Sequence, residues 1–305
     1  MTRPAIELRE LTRDYGSVRA LDAVSLSVEP GEIIGFLGPN GAGKTTAIRI
    51  LFDLIRPTAG AAFVQGFDCQ AESLAARARM GYLPGEMHLY EDLTGRQTID
   101  YFATLRQQRP DAAYVDDLVT RLQFDPSRGV QAYSKGNRQK LGLILAVMHR
   151  PEVLVLDEPT SGLDPLIQDE VAGLLFEFAA SGGTVFFSSH VMSEVERMCH
   201  RAAFLREGKL IAIEDVAAIK GRSLHLVEVT FAEPVPANAF RLPGTREVQR
   251  DGNTVHLEVR DGIDAVVKAI GQFPVVDLRT ERPSLEEVFR AYYQEEGEEA
   301  RDAAS

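Results

Sequence analysis

Eight consecutive residues, Gly38-Pro39-Asn40-Gly41-Ala42-Gly43-Lys44-Thr45, follow a continuous apolar run at residues 33–37 and open an amphipathic stretch at 45–55 that Pro57 closes. The pattern G-x-x-x-x-G-K-[ST] between a strand and a helix reads as a phosphate-binding loop. Its glycines let the backbone turn so that successive N–H groups point inward, and the helix behind them adds the positive end of its dipole. Gly38, Pro39, Asn40, Gly41, Ala42, Gly43, Lys44, Thr45 and the following Thr46 are therefore the candidate ATP cradle. Lys44 is placed to reach the terminal phosphates, and the Thr45 hydroxyl to ligate a Mg²⁺ that bridges the β- and γ-phosphates.

The rest of the chain supplies the frame such a loop needs. Further buried strands are expected at 153–156, 184–188 and 202–205, with helices at 166–180 and 192–198 between them. Strands alternating with helices give an α/β fold whose mostly parallel sheet is covered on both faces. Ahead of the loop, segments 6–11 and 24–28 alternate in polarity around a turn at Tyr15-Gly16-Ser17, which predicts an N-terminal antiparallel β layer. Between 89 and 150 strand signals give way to helical periodicity broken at Pro110, Pro126 and Gly129, the pattern of a helical insertion. Beyond Gly221, Val255, Leu257 and Val259 alternate with His256, Glu258 and Arg260, and a helix follows at 263–270. The expected organisation is a nucleotide-binding domain over 1–220, a small α+β accessory domain over 221–294 and an acidic tail over 295–305.

A second chemical element is Val153-Leu154-Val155-Leu156-Asp157-Glu158, in which four apolar residues deliver two carboxylates to the carboxyl end of a strand. Ligands of open α/β sheets bind at that end. Neighbouring side chains of an extended chain point oppositely, so the two carboxylates suit separate tasks. Asp157 would hold Mg²⁺, directly or through water, and Glu158 would orient and deprotonate an attacking water.

With these parts in this order, the sequence resembles the ABC (ATP-binding cassette) ATPases from residue 4 to about 215. Tyr133-Ser134-Lys135-Gly136-Asn137-Arg138-Gln139 resembles their signature loop LSGGQ: Ser134 and Gly136 match, whereas Tyr133, Lys135 and Asn137 depart from it. The resemblance implies that Ser134, Gly136 and Asn137 face the γ-phosphate of ATP held by an opposite subunit. A serine cap before an amphipathic helix explains the same residues. Ser161-Gly162-Leu163-Asp164 resembles the family's D-loop, with Asp164 its acidic member. His190 resembles the switch histidine that contacts the γ-phosphate and positions Glu158, and Tyr15 the ring that stacks on adenine. The metal-sensing glutamine that the family carries after Met80-Gly81-Tyr82-Leu83-Pro84 is replaced by Gly85; a shift of one residue would bring Glu86 there, and the choice between them stays open. Arg282-Pro283-Ser284-Leu285-Glu286-Glu287-Val288-Phe289 resembles the C-terminal extension of ATPases that serve bacterial drug, antibiotic and ABC-2-type exporters.

The resemblance implies an ATP-hydrolysing motor with ATP and Mg²⁺, paired with a second copy of itself and with a separate transmembrane permease subunit. It would work peripherally at the cytoplasmic face of the cell membrane. The longest apolar stretches, such as 141–148, fall far short of the roughly 18 residues that span a bilayer, and the N-terminus carries no apolar signal core. A net charge of −12 argues against nucleic acid as a main partner. Cys69 and Cys199 stand outside any metal-binding spacing. Two other classes compete: a soluble ABC ATPase uncoupled from transport, and a phosphate-loop kinase acting on a small acceptor.

Overall fold

The computed structural model describes residues 3–106, 110–221, 225–260 and 262–281. The expectations at 282–289 and for the acidic tail lie outside the described residues. In chain order the first half forms β1 (Ile6–Tyr15), β2 (Val18–Val28), β3 (Ile33–Leu37), α1 (Lys44–Leu51), β4 (Ala59–Val64), β5 (Phe67–Asp68), α2 (Ser73–Ala78), β6 (Met80–Leu83), α3 (Gly95–Leu105), α4 (Ala112–Arg121) and α5 (Lys135–Val147). The second half continues with β7 (Val153–Asp157), α6 (Pro165–Ala180), β8 (Thr184–Ser189), α7 (Met192–Met198), β9 (Arg201–Arg206), β10 (Lys209–Asp215), α8 (Val216–Gly221), β11 (His225–Phe231), β12 (Thr245–Asp251), β13 (Thr254–Val259), α9 (Ile263–Ile270) and β14 (Val275–Glu281). The chain divides into two compact units after Glu214, six residues before the 220/221 boundary read from the sequence.

The first unit holds two sheets. One has the order β2-β1-β4-β5, and its β1 pairs antiparallel with both β2 and β4. The other has the order β10-β9-β3-β8-β7-β6 and is parallel from β9 through to β6. Its edge strand β10 follows β9 through Glu207-Gly208 alone, both at positive φ, and a two-residue connection of this kind closes only an antiparallel hairpin. Strands β3, β7 and β8 are buried at every position, as continuous apolar runs covered on both faces require. Helix α1 lies between the two sheets: Ala47, Ile48, Ile50 and Leu51 join one core cluster with Ile6, Leu26, Phe36 and Phe186.

Three local departures from the sequence reading have physical causes. Helix α1 ends at Leu51 and not near residue 55, because Asp53 adopts φ 52, a left-handed conformation that aspartate tolerates and a helix does not. Strand β4 was not anticipated: Ala59-Gly60-Ala61-Ala62 has little intrinsic strand preference and is extended by pairing with β1. Strand β10 is an edge strand whose burial does not alternate, so it leaves no period in the sequence.

The helical insertion contains α3, α4 and α5, each started by a side-chain cap. Thr94 and Gln97 form a reciprocal capping box on α3, Asp111 caps α4 and Ser134 caps α5. His149, just past α5, accepts burial in exchange for one contact, its Nε2 lying 3.2 Å from the Met80 carbonyl. Burial, reinforced by the charge of Arg106, lowers its pKa to about 4 from 6.5. The unfolded chain therefore takes up a proton across that window which the folded chain refuses, and stability falls as pH drops from 6.5 towards 4. Denaturant unfolding at pH 7 and pH 5 is expected to show a loss about 1 kcal/mol larger for the wild type than for His149→Gln, the ring's residual solvent contact keeping it below the full linkage limit. Equal losses would remove His149 from the acid response.

The second unit carries a sheet of order β12-β13-β11-β14. Val227, Val229 and Phe231 of β11 and Val255, Leu257 and Val259 of β13 share one face and form a core with Val266, Ala269 and Ile270 of α9. The alternation of Val255, Leu257 and Val259 with polar neighbours is thus a one-sided antiparallel sheet. Among the described residues no helix is long and apolar enough to cross a membrane.

Candidate functional site

Register in the parallel sheet brings the sequence motifs to one edge. Leu37 at the end of β3 stands opposite Ser189 of β8, Asp157 of β7 opposite Ser188, and Leu83 of β6 opposite Leu156. The segments that follow, beginning at Gly38, Glu158, His190 and Pro84, therefore leave the sheet at the same level, its carboxyl edge. A cleft of about 250 Å³ opens there, lined by residues 40–46 with Ala20, Gly85, Asp157 and Glu158. That volume suits a polyphosphate chain rather than a whole nucleotide. A larger cleft of about 570 Å³, lined among others by Tyr114, Arg150, Glu177 and Phe178, contains none of the phosphate-loop residues and neither Asp157 nor Glu158, so size does not select the site.

The loop is built by conformation. Gly43 sits at φ 109, and a Cβ there would lie 2.3 Å from the Ala20 carbonyl oxygen, so only glycine fits. No side chain caps the N-terminus of α1, which leaves its first N–H groups for a ligand. Gly38 and Pro39 lie beneath the cradle rather than lining it: their carbonyls accept from Lys44 Nζ, that of Pro39 at 3.1 Å. Lys44 is only 6% exposed. Burial lowers its pKa, and the negative charges of Glu158 and Asp157 pull it back up.

The two carboxylates have different partners. Thr45 Oγ1 donates to Asp157 Oδ2 at 3.0 Å, placing a hydroxyl and a nearly buried carboxylate side by side. Such hard oxygen donors fit Mg²⁺. The other oxygen, Asp157 Oδ1, accepts from Ser188 Oγ. Glu158 turns away from the strand at φ 53, an uncommon conformation for a non-glycine residue. Its two carboxylate oxygens each lie 2.9 Å from His190 Nδ1. Since a carboxylate only accepts, Nδ1 is the donor in this pair.

The remaining sequence-derived candidates are placed as follows. Tyr15 closes β1, is 43% exposed, and carries the Arg13 guanidinium 4.6 Å from its ring centre. Ser134, Gly136 and Asn137 open α5 outside the cleft lining, and Ser134 Oγ accepts from the Asn137 N–H at 3.3 Å. Asp164 is exposed and caps α6 by accepting from the Ile167 N–H at 3.1 Å. Gly85 lines the cleft, where a Cβ would lie 3.1 Å from Asp157 Oδ2; Glu86 is exposed and is not among the lining residues.

Three contributors were not among the candidate site residues. Ser188 is fully buried; its Oγ donates to Asp157 and accepts from the Glu158 N–H at 3.2 Å, bridging the two acidic residues. Glu194 of α7 accepts from Thr160 Oγ1 at 2.5 Å and from Ser189 Oγ at 2.7 Å, tying together the segments after β7 and β8. Gln139, a polar side chain on the apolar face of α5, was the one with a readable signal.

Comparison with known proteins finds relatives along nearly the whole chain. A family model described as ABC transporter matches residues 21–161. The chain is 34% identical over 302 residues to a daunorubicin resistance ATP-binding protein, DrrA3, of Streptomyces coeruleorubidus, covering 95% of this chain and 96% of that one. It is 33% identical over 269 residues to the Nod factor export ATP-binding protein I of Paraburkholderia xenovorans (strain LB400), covering 86% and 88%. A solved structure of the ATP binding subunit of an ABC transporter superposes with a TM-score of 0.65 at 27% identity, covering 71% of this chain and 92% of that chain.

Proposed function

This chain belongs to the ABC transporter family as an ATP-binding protein, and on that premise we propose that it is the ATP-hydrolysing motor of an exporter, acting through a separate transmembrane subunit. The observation that carries the reading is the meeting, at one sheet edge, of the uncapped N-terminus of α1, the Thr45–Asp157 pair and the Glu158–His190 pair. The α1 N–H groups and Lys44 bind the phosphates, and Tyr15 offers the ring face away from Arg13 to adenine. Thr45 and Asp157, with water, would hold Mg²⁺, which when bound neutralises charge on the β- and γ-phosphates. Glu158 orients a water towards the γ-phosphate and takes its proton, while His190 fixes the carboxylate and meets the phosphate.

Ser134, Gly136, Asn137 and Asp164 serve a second copy. One phosphate loop and one signature loop per chain give two complete sites only in a head-to-tail pair with twofold symmetry. Each ATP would lie between Lys44 of one copy and Ser134 of the other, so that binding closes the pair and hydrolysis reopens it. Export is favoured by the relatives named for daunorubicin resistance and Nod factor export.

Two measurements test the reading. The purified chain with ATP and Mg²⁺ is expected to release inorganic phosphate with no acceptor present. In its native cells it is expected to sediment with membranes and to be stripped from them by alkaline washing. Phosphate transfer only to an added small acceptor would identify a kinase, and a chain that stays in the supernatant would identify an ABC ATPase uncoupled from transport.

A further inference from the structure

Glu158 keeps its left-handed backbone only because its surroundings hold it. A non-glycine residue in that region costs about 1–3 kcal/mol and persists where neighbouring contacts over-determine it. From the sheet, the Glu158 N–H donates to both the carbonyl and the hydroxyl of Ser188, at 3.2 Å each. From its own turn, the Ser161 N–H donates to the Glu158 carbonyl at 3.2 Å. The remaining support comes from another element. Gln139 of α5, 7% exposed, donates from Nε2 to the Glu158 carbonyl at 2.9 Å and to the Pro159 carbonyl at 3.0 Å.

The same helix grips this turn at two more points. Lys135 Nζ donates to Ser161 Oγ at 2.8 Å. Gly136 approaches so closely that a Cβ there would lie 2.6 Å from the Gly162 carbonyl oxygen. The first two turns of α5 and residues 158–162 are thus fastened by an amide, an ammonium and a backbone contact. Gln139 does not line the phosphate cleft, so its effect on the reaction passes through Glu158.

We propose that Gln139 is a positioning residue which couples the two ATP sites of the dimer: α5, when it engages the ATP of the opposite copy, sets through Gln139 the aim of Glu158 in its own copy. The inference rests on the dimer proposed above, in which Ser134 serves one nucleotide and Glu158 the other. A carboxylate aimed at water tolerates little displacement, and a misplacement of about 1 Å costs up to about 100-fold in rate. A donor amide that holds two consecutive carbonyls therefore converts a small shift of α5 into a change in hydrolytic competence.

The test is steady-state ATPase kinetics of the full-length chain carrying Gln139→Leu, which keeps the volume and removes both donors. The kcat is expected to fall about 10- to 100-fold with KM for ATP within about threefold of the wild type. The wild type is expected to show a Hill coefficient for ATP above unity, and the variant a value of unity. Gln139→Asn retains a donor with a shorter reach and should restore part of both kcat and cooperativity; it also serves if Gln139→Leu does not fold. A non-cooperative wild type, a variant with unaltered kcat, or a folded variant slowed with its Hill coefficient intact would each overturn the coupling. Loss of activity in Lys44→Ala alongside any of these leaves the ATPase assignment standing, whereas an active Lys44→Ala removes that assignment itself.

Discussion

Glu158→Gln is expected to lower steady-state ATP turnover by about 10²- to 10⁴-fold while ATP still binds, so that an ATP-bound dimer accumulates. The substitution changes one atom of the side chain. An amide accepts no proton from the attacking water, yet the Glu158 N–H contacts to Ser188 and the Gln139 contact to its carbonyl are made by the backbone and survive. Lys44, Thr45 and Asp157 are untouched, so the phosphates keep their partners. One local change is expected: His190 Nδ1 now faces a neutral amide in place of the carboxylate oxygens that lie 2.9 Å away, so the histidine is held less firmly. Phosphate release measured together with size-exclusion chromatography in ATP and Mg²⁺ checks both halves. A variant that hydrolyses at the wild-type rate and stays monomeric would falsify the assignment of Glu158 as base.

Lys44→Ala is expected to abolish hydrolysis by a different route, loss of nucleotide affinity as well as of rate. Lys44 is the cationic side chain among those lining the cleft, and burial already lowers its pKa, so its charge is held at an energetic cost in the absence of an anion. A phosphate offsets that cost, and charge-assisted bonds of this kind contribute about 1.5–3 kcal/mol each. The predicted result is ATP affinity at least about tenfold weaker and turnover below detection. Alanine also leaves the Gly38 and Pro39 carbonyls without the donor that bridges them, so thermal unfolding must accompany the kinetics. A folded Lys44→Ala chain with wild-type turnover would mean that the phosphates bind elsewhere. The two variants separate cleanly: Glu158→Gln retains the ATP-dependent dimer and Lys44→Ala loses it.

Much of the site was legible because its backbone is local. The loop from Gly38 to Thr45 is a run of residues whose conformations follow from glycine placement and from the helix they open. The strand ending at Asp157 announces itself by four apolar residues before two carboxylates, and the serine at 134 by its place ahead of an amphipathic helix. Two strands were poorly legible: β4 opens with alanine and glycine and is extended by pairing with β1, and the edge strand β10 has no burial period. Ser188 was not legible as a site residue, because a buried polar side chain declares its partner only when the partner is in place.

Gly85 shows the limit most directly. From the sequence, a one-residue shift could exchange Gly85 for Glu86 beside Thr45 and Asp157. The register of β6 against β7, Leu83 opposite Leu156, sets where the chain leaves the sheet, and Gly85 is the residue that lines the cleft with Asp157. By itself, then, the sequence determined the phosphate loop and the alternation of strands and helices, since each follows from neighbours a few residues apart. Only the tertiary structure decided which side chains meet: Thr45 and Asp157 are 112 residues apart along the chain, and they touch because parallel strands pair in one register, which is set by the packing of whole buried faces rather than by any local signal.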